Sequence, residues 1–287
     1  MTLVPSLENV QYGPHPRQLL DVYLPNLSAE GTVPVAVFIH GGGWKGGDKS
    51  TGMLKEPVLP YAEALHGAGI AIVSIDYRLT SAEHPPPTPA LDAARAIQFV
   101  RHHALQWKVD GERLAAFGAS AGACSALWIA FHDDFADPDS PDPVRRASTR
   151  PCCAVGINAQ TTIDPTKLRD WIGPAALEHG MVANAFGLES VEASIEAGFE
   201  DVYVDSSPLT HLDASACPVY LKYIRDDLTI PAKDPGHGIH HPLMGVKLKE
   251  AMEALGLECR LDISADRDGD GERYGGYVEF MLDKLGR

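Results

Sequence analysis

A chain of 287 residues, 45% hydrophobic and 22% charged, is long enough to bury a large core. α/β chains of this length are commonly one domain, here expected over residues 1–287. A net charge of −15 argues against nucleic acid or an anionic membrane surface as partner and leaves a small molecule as the expected one. The chain start lacks a basic region followed by an apolar stretch, and no apolar run approaches the ~20 residues that span a bilayer, so a cytoplasmic protein is expected.

In chain order, residues 19–24 alternate as an early strand, and 35–39 and 70–75 read as buried strands with a helical segment, 54–66, between them. Pro85, Pro86 and Pro87 break the chain before a helix over 90–103, whose apolar positions Leu91, Ala94, Ile97 and Val100 recur at helical spacing. A strand over 113–117 follows, then an apolar helix from Cys124 to Phe131. Residues 133–150, rich in Asp, Pro and Arg, read as an exposed loop, and 152–157 as another buried strand. The stretch 164–205 shows helical fragments such as 191–199 and no strand. It is expected to be a helical insertion capping the site, with Trp171, Met181 and Phe186 as apolar lining or as plain packing. Strands at 219–223 and 259–263 flank a helix at 243–255, and a helix over 277–285 closes the chain. This alternation implies an α/β fold: a mostly parallel, doubly wound sheet flanked by helices. The five cysteines, with Cys152 and Cys153 adjacent in an apolar strand, read as buried hydrophobes.

Two strand ends carry chemistry. Gly118-Ala119-Ser120-Ala121-Gly122 lies between a strand and a helix, where small residues permit a strained turn that presents a serine hydroxyl at the top of a sheet. His40-Gly41-Gly42-Gly43-Trp44 follows the strand at 35–39, and its consecutive glycines leave main-chain N–H groups free to approach a ligand oxygen. A phosphate-cradling loop would need a Gly-Lys-Ser/Thr ending, which Lys45-Gly46-Gly47 does not supply.

These two motifs, with Asp76-Tyr77-Arg78-Leu79 and Ser207-Pro208-Leu209-Thr210-His211-Leu212, resemble the α/β-hydrolase fold over most of the chain, in the branch of hormone-sensitive-lipase-like and feruloyl-esterase-like carboxylesterases. The resemblance implies a serine hydrolase that cleaves small to medium esters through an acyl-enzyme, without a cofactor, and a homodimer is compatible with it. Ser120 would be the nucleophile, and the N–H groups of Gly42, Gly43 and Ala121 would form the oxyanion hole. The same glycine-tryptophan loop occurs in arylformamidases, so amide substrates stay open.

In the resembled esterases the acid precedes a short apolar step to proline, which selects Asp227 over Asp226 in Asp226-Asp227-Leu228-Thr229-Ile230-Pro231. The general base should follow the last strand, yet that loop contains no histidine, and Asp270 stands about where one is due. An aspartate is a far weaker base near neutral pH. Triads are defined by geometry and not by chain order, so the base can come from the histidine-rich stretch after the acid, with His240 and His241 leading and His237 behind. Without any base in reach, the protein would be an impaired hydrolase that binds a small ligand, as in plant hormone receptors of this resemblance. Asp266, Asp268 and Asp270, spaced by two and followed by Gly271, open like a calcium loop, but the bidentate glutamate is missing, so no metal is expected in the site.

Overall fold

The computed structural model describes residues 3–25, 31–55, 58–264 and 275–286. Eight strands form one sheet: β1 (Leu7–Gln11), β2 (Leu19–Tyr23), β3 (Val33–Ile39), β4 (Ala71–Ile75), β5 (Val109–Ala119), β6 (Cys153–Ile157), β7 (Val219–Tyr223) and β8 (Cys259–Ile263). Their order is β1-β2-β4-β3-β5-β6-β7-β8. β1 and β2 run antiparallel at one edge, and every pairing from β4 to β8 is parallel. Among the described residues eleven helices flank the sheet: α1 (Lys49–Met53), α2 (Leu59–Gly67), α3 (Thr88–Trp107), α4 (Ala121–Phe131), α5 (Pro165–Trp171), α6 (Gly180–Ala183), α7 (Val191–Glu196), α8 (Glu200–Asp205), α9 (Pro235–Ile239), α10 (Leu243–Ala254) and α11 (Gly275–Lys284).

The central strands are apolar throughout because both faces of the sheet are covered. All seven residues of β3 are buried. Side chains alternate between the faces with period two, so Val35, Val37 and Ile39 join one core while Ala36 and Phe38 join the other. Helix α4 is buried along its whole length, between the sheet and α3, which accounts for its lack of a polar face.

Several elements depart from the sequence expectation in instructive ways. Of the described residues in the stretch 54–66 only those from Leu59 are helical, as α2, and a separate short helix, α1, precedes it at Lys49–Met53, capped by the Asp48 carboxylate on the Ser50 and Thr51 amides. In α3 the buried stripe is carried by Ala90, Ala93, Ala96, Ile97 and Val100, and Leu91 is 41% exposed. Alanine is small enough to let α3 approach α4 and β5 closely, so the narrow residues do the packing. The loop 133–150 contains a 3-10 turn, Pro143–Arg146, and the insertion 164–205 holds the four short helices α5 to α8. The aspartates Asp266, Asp268 and Asp270 lie outside the described residues. Among the described residues, no helix is long and apolar enough to cross a membrane.

Parallel pairing places the C-terminal ends of β3, β5, β6 and β7 on a single edge of the sheet, with Ile39 beside Gly118, Gly118 beside Gly156 and Ile157 beside Lys222. The glycine loop, the serine turn and the histidine-rich segment after β7 leave from that edge, which makes it the binding edge of such a sheet.

Candidate active site

Ser120 occupies the turn between β5 and α4 with φ 52° and ψ −124°, a left-handed conformation that costs a side-chain-bearing residue energy. The surroundings hold it there. The Ser120 amide donates to the Ile157 carbonyl at 2.8 Å, and the Cys124 amide donates to the Ser120 carbonyl at 3.0 Å as α4 begins. The flanking glycines are steric necessities. A Cβ on Gly122 would stand 1.9 Å from the Ile39 carbonyl oxygen, and one on Gly118 would stand 2.5 Å from the Gly122 carbonyl. Gly122→Ala is therefore expected to destabilise the fold by about 3 kcal/mol or more, since β3 and α4 would have to separate. Urea unfolding would measure this, and a change below about 1 kcal/mol would show that the contact relaxes easily.

The glycine loop is pinned to the same helix. Trp44 is buried, and its Nε1 donates to Ser125 Oγ at 3.0 Å, while Ser125 Oγ donates to the Ala121 carbonyl at 3.2 Å. The Lys45 and Gly46 amides both donate to the Gly42 carbonyl, at 3.0 and 3.2 Å, which folds the loop into a tight turn with Gly42 at φ 107° and Gly43 at φ 61°. A Cβ on Gly41 would lie 3.3 Å from Ser120 Cβ, so the loop runs directly past the serine. Among the described residues, the amides of Gly42, Gly43 and Ala121 have no acceptor. They are donors without a partner beside a hydroxyl.

His40 belongs to the scaffold of this loop. Its ring is fully buried and stacks on Tyr77 at 4.1 Å, its Nδ1 donates to the Gly41 carbonyl at 2.7 Å, and Tyr77 Oη donates to the His40 carbonyl at 2.7 Å. Burial lowers its pKa to about 4, so the imidazole is neutral.

Of the three histidines after β7, the structure brings His240 alone against the serine, with Nε2 2.8 Å from Ser120 Oγ. His240 caps the C-terminal end of α9, a helix started by the Asp234 side chain, which accepts from the His237 amide. From that position its Nδ1 donates to the Gly236 carbonyl at 3.0 Å. The last carbonyls of a helix lack helical partners, so Gly236 is free to take this proton. The bond sets the tautomer: Nδ1 carries hydrogen, and the Nε2 lone pair faces the Ser120 hydroxyl. Burial is the main cause that lowers the His240 pKa, the Gly236 bond opposes it, and the charges of His179 and Arg225 add to the lowering.

The other two histidines are tied into the loop. His241 is fully buried, with Nε2 donating to the Thr229 carbonyl at 3.3 Å and Nδ1 accepting from the Leu243 amide at 3.2 Å. The residue after it, Pro242, is the cap before α10. His237 donates through Nε2 to the Asp227 carbonyl at 3.0 Å, accepts at Nδ1 from the Lys233 amide at 3.1 Å, and packs on His241.

Asp227 is not brought to His240. Its carboxylate accepts from Lys233 Nζ at 2.5 Å and from the Thr229 amide at 3.0 Å, and it comes only within 4.0 Å of His237 Nε2. The bond from Lys233, followed by those from Thr229, holds its pKa well below the usual carboxylate range. A lysine six residues on captures the acid, and the histidine ring instead finds a main-chain carbonyl one helical turn back.

His179, in the insertion, is a site residue that no motif signals. Its Nδ1 accepts from the Met181 amide at 3.2 Å, which puts the ring proton on Nε2. Its ring centroid lies 6.0 Å from that of His240, and a Cβ on Gly43 would be 3.7 Å from both His179 Cε1 and Met181 Cβ. The insertion thus touches the glycine loop through His179 and Met181. Phe186 turns away, stacked on Phe199 at 4.3 Å and against Tyr203, and Trp171 is only partly buried against the core. His84 packs against His15, while His211 packs against His132 and Trp128 at the far end of α4.

The BD-FAE family model matches residues 20–236. The chain belongs to the BD-FAE family. Its eight-stranded, mostly parallel sheet is the α/β-hydrolase fold. This BD-FAE member is 28% identical over 227 residues to the probable carboxylic ester hydrolase LipM of Mycobacterium tuberculosis, across 78% of this chain and 49% of that one. It is 40% identical over 118 residues to carboxylesterase NlhH of the same organism, across 41% of this chain and 35% of the relative. The BD-FAE member thus spans about half, or less, of the curated relatives it matches. Among solved structures, a truncated carbohydrate esterase from gut microbiota superposes with a TM-score of 0.76 at 17% identity, covering 100% of this chain and 98% of that one. An esterase of Thermogutta terrifontis with propionate bound superposes at 0.65 and 22% identity, covering 96% and 93%.

Proposed function

We propose that this chain is a serine hydrolase of small carboxylic esters, working through an acyl-enzyme with Ser120 as nucleophile and His240 as general base. The 2.8 Å contact between Ser120 Oγ and His240 Nε2 carries this reading, because it joins a presented hydroxyl to a neutral imidazole of the right tautomer. Attack of Oγ on the ester carbonyl transfers the hydroxyl proton to Nε2. The resulting oxyanion would be held by the Gly42, Gly43 and Ala121 amides, and the imidazolium by the Gly236 carbonyl. Breakdown expels the alcohol, which takes the proton from Nε2, and a water activated by the same nitrogen releases the acid. Asp227, paired with Lys233, plays no part in this reading.

The names of the relatives support an ester as substrate: LipM and NlhH are named as ester hydrolases, and the Thermogutta esterase has been solved with propionate and with butyrate bound. The half-buried His179 and buried Met181 crowd the glycine loop, which favours short acyl groups. The ligand-binding alternative rested on there being no imidazole in reach of Ser120, and the contact with His240 weighs against it. Incubation with diethyl p-nitrophenyl phosphate is expected to attach one diethylphosphoryl group per chain, at Ser120 by peptide mass. Turnover of p-nitrophenyl acetate should exceed that of the octanoate and of the matched formanilide at least ~10-fold, the scale of discrimination set by pocket size. No labelling, or a preference for formanilide, would overturn the reading.

A further inference from the structure

At the end of α4 remote from Ser120, three elements converge on a group of side chains that the ester chemistry does not use. His132 follows the last residue of α4, Asp205 ends α8, and His211 ends the 3-10 turn Pro208–His211. One donor atom from each lies within 4.8 Å of the others, and the two imidazole centroids are 4.4 Å apart. α4 has eleven residues, which puts the cluster roughly 16 Å from the serine along the helix axis.

The details resemble a metal centre more than a chance contact. Each histidine uses one ring nitrogen on a main-chain carbonyl: His132 Nδ1 on Asp133 at 3.2 Å, and His211 Nε2 on Asp205 at 2.6 Å. His132 thereby keeps its Nε2 lone pair, the arrangement in which metal-ligating histidines are oriented by an outer hydrogen bond, while His211 Nε2 would exchange its carbonyl partner for the ion. The Asp205 carboxylate stands 3.7 Å from His211 Nε2, and the Asp205 carbonyl also accepts from Trp128 Nε1 at 2.8 Å, which fixes the turn that presents the carboxylate. Trp128 and Phe135 pack on His132 at 4.3 and 4.5 Å, and Trp128 meets His211 edge-on at 5.5 Å, forming an apolar wall behind the imidazoles.

We propose that His132, Asp205 and His211 bind one divalent transition-metal ion of the Zn2+ type, which fastens the exit of the 164–205 insertion to the end of α4. Two imidazoles and one carboxylate suit zinc and its neighbours, whereas calcium and magnesium favour all-oxygen shells. Three protein donors leave a position for water. Donor atoms up to 4.8 Å apart have to draw together to share one ion at bonding distances near 2.1 Å, and the Asp205 side chain, 53% exposed, has room to contribute to that movement.

The test uses the full chain after dialysis against EDTA, titrated with CoCl2 and followed by visible absorption, with ZnCl2 competition and thermal melts in parallel. One equivalent of Co2+ should give ligand-field bands that Zn2+ displaces, and Zn2+ should raise Tm saturably while MgCl2 at the same concentration does not. His132→Gln, Asp205→Asn and His211→Gln should each weaken binding at least ~10-fold, leaving p-nitrophenyl acetate turnover unchanged. His102→Gln, outside the cluster, should bind normally. Glutamine keeps most of the histidine volume, and circular dichroism would verify that the variants are folded. Absence of a one-to-one Co2+ complex, equal stabilisation by Mg2+, or binding that survives the paired His132→Gln and His211→Gln change would overturn the proposal.

Discussion

Replacing Ser120 by alanine is expected to lower kcat/KM for p-nitrophenyl acetate by about 100,000-fold, the scale seen when the nucleophile of a serine hydrolase is removed. The magnitude follows from what the hydroxyl does: without Oγ no acyl-enzyme forms, and the imidazole of His240 can only assist direct attack by water. The amides of Gly42, Gly43 and Ala121 would remain in place because the loop is held by Trp44, Tyr77 and the Gly42 turn rather than by the serine side chain. A residual rate above that in buffer is therefore expected, from oxyanion stabilisation alone. Organophosphate incorporation should disappear in the same variant. Stability should barely change, since alanine retains the Cβ and the left-handed φ of 52° is imposed by the flanking glycines and the Ile157 bond. A fall of less than about 100-fold, too small for loss of a covalent route, would mean that the ester is hydrolysed elsewhere on the molecule.

The parts of this site that are legible in the sequence are those whose geometry is set by residues close in the chain. Gly118 to Gly122 and His40 to Trp44 need glycines at particular steps because main chain meets main chain there, so the pattern is written locally. The alternation of buried strands with helices is likewise local, and it leads to the mostly parallel sheet. β1 escaped because a five-residue edge strand with four exposed positions has no period-two apolar signal. The choice among His237, His240 and His241 is of another kind. It depends on α9 starting at Asp234, which sets the register that points His240 at Ser120 and leaves its neighbours bonded to Thr229 and Asp227. Nor is there a local sign that Lys233 draws off the Asp227 carboxylate, or that His179 approaches Gly43 from the insertion.

His240→Ala is expected to cost about 10,000-fold or more in kcat/KM, and Asp227→Asn less than about 10-fold, a contrast that a Ser-His-Asp relay would not give. In such a relay the carboxylate holds the imidazole tautomer, and its amide analogue loses about four orders of magnitude. Here the Gly236 carbonyl holds Nδ1, while the Asp227 carboxylate is bonded to Lys233 and partly exposed, so asparagine would sacrifice only a surface ion pair. A neutral carbonyl stabilises the imidazolium less than a carboxylate does, and burial acts in the same direction. Burial is the main reason the folded pKa of His240 stays below its ordinary 6.5, and the Gly236 carbonyl offsets that lowering only in part. The base is active when neutral, and a lowered pKa keeps it neutral to lower pH. The acid limb of kcat/KM should therefore have its midpoint below pH 6.5, whereas a carboxylate partner would move it upward. If Asp227→Asn cost about 10,000-fold, or the limb lay above pH 7, the carboxylate would have to leave Lys233 and act on the base. Combining Ser120→Ala with His240→Ala should cost little more than either change alone, because the two groups act as one unit in moving a single proton.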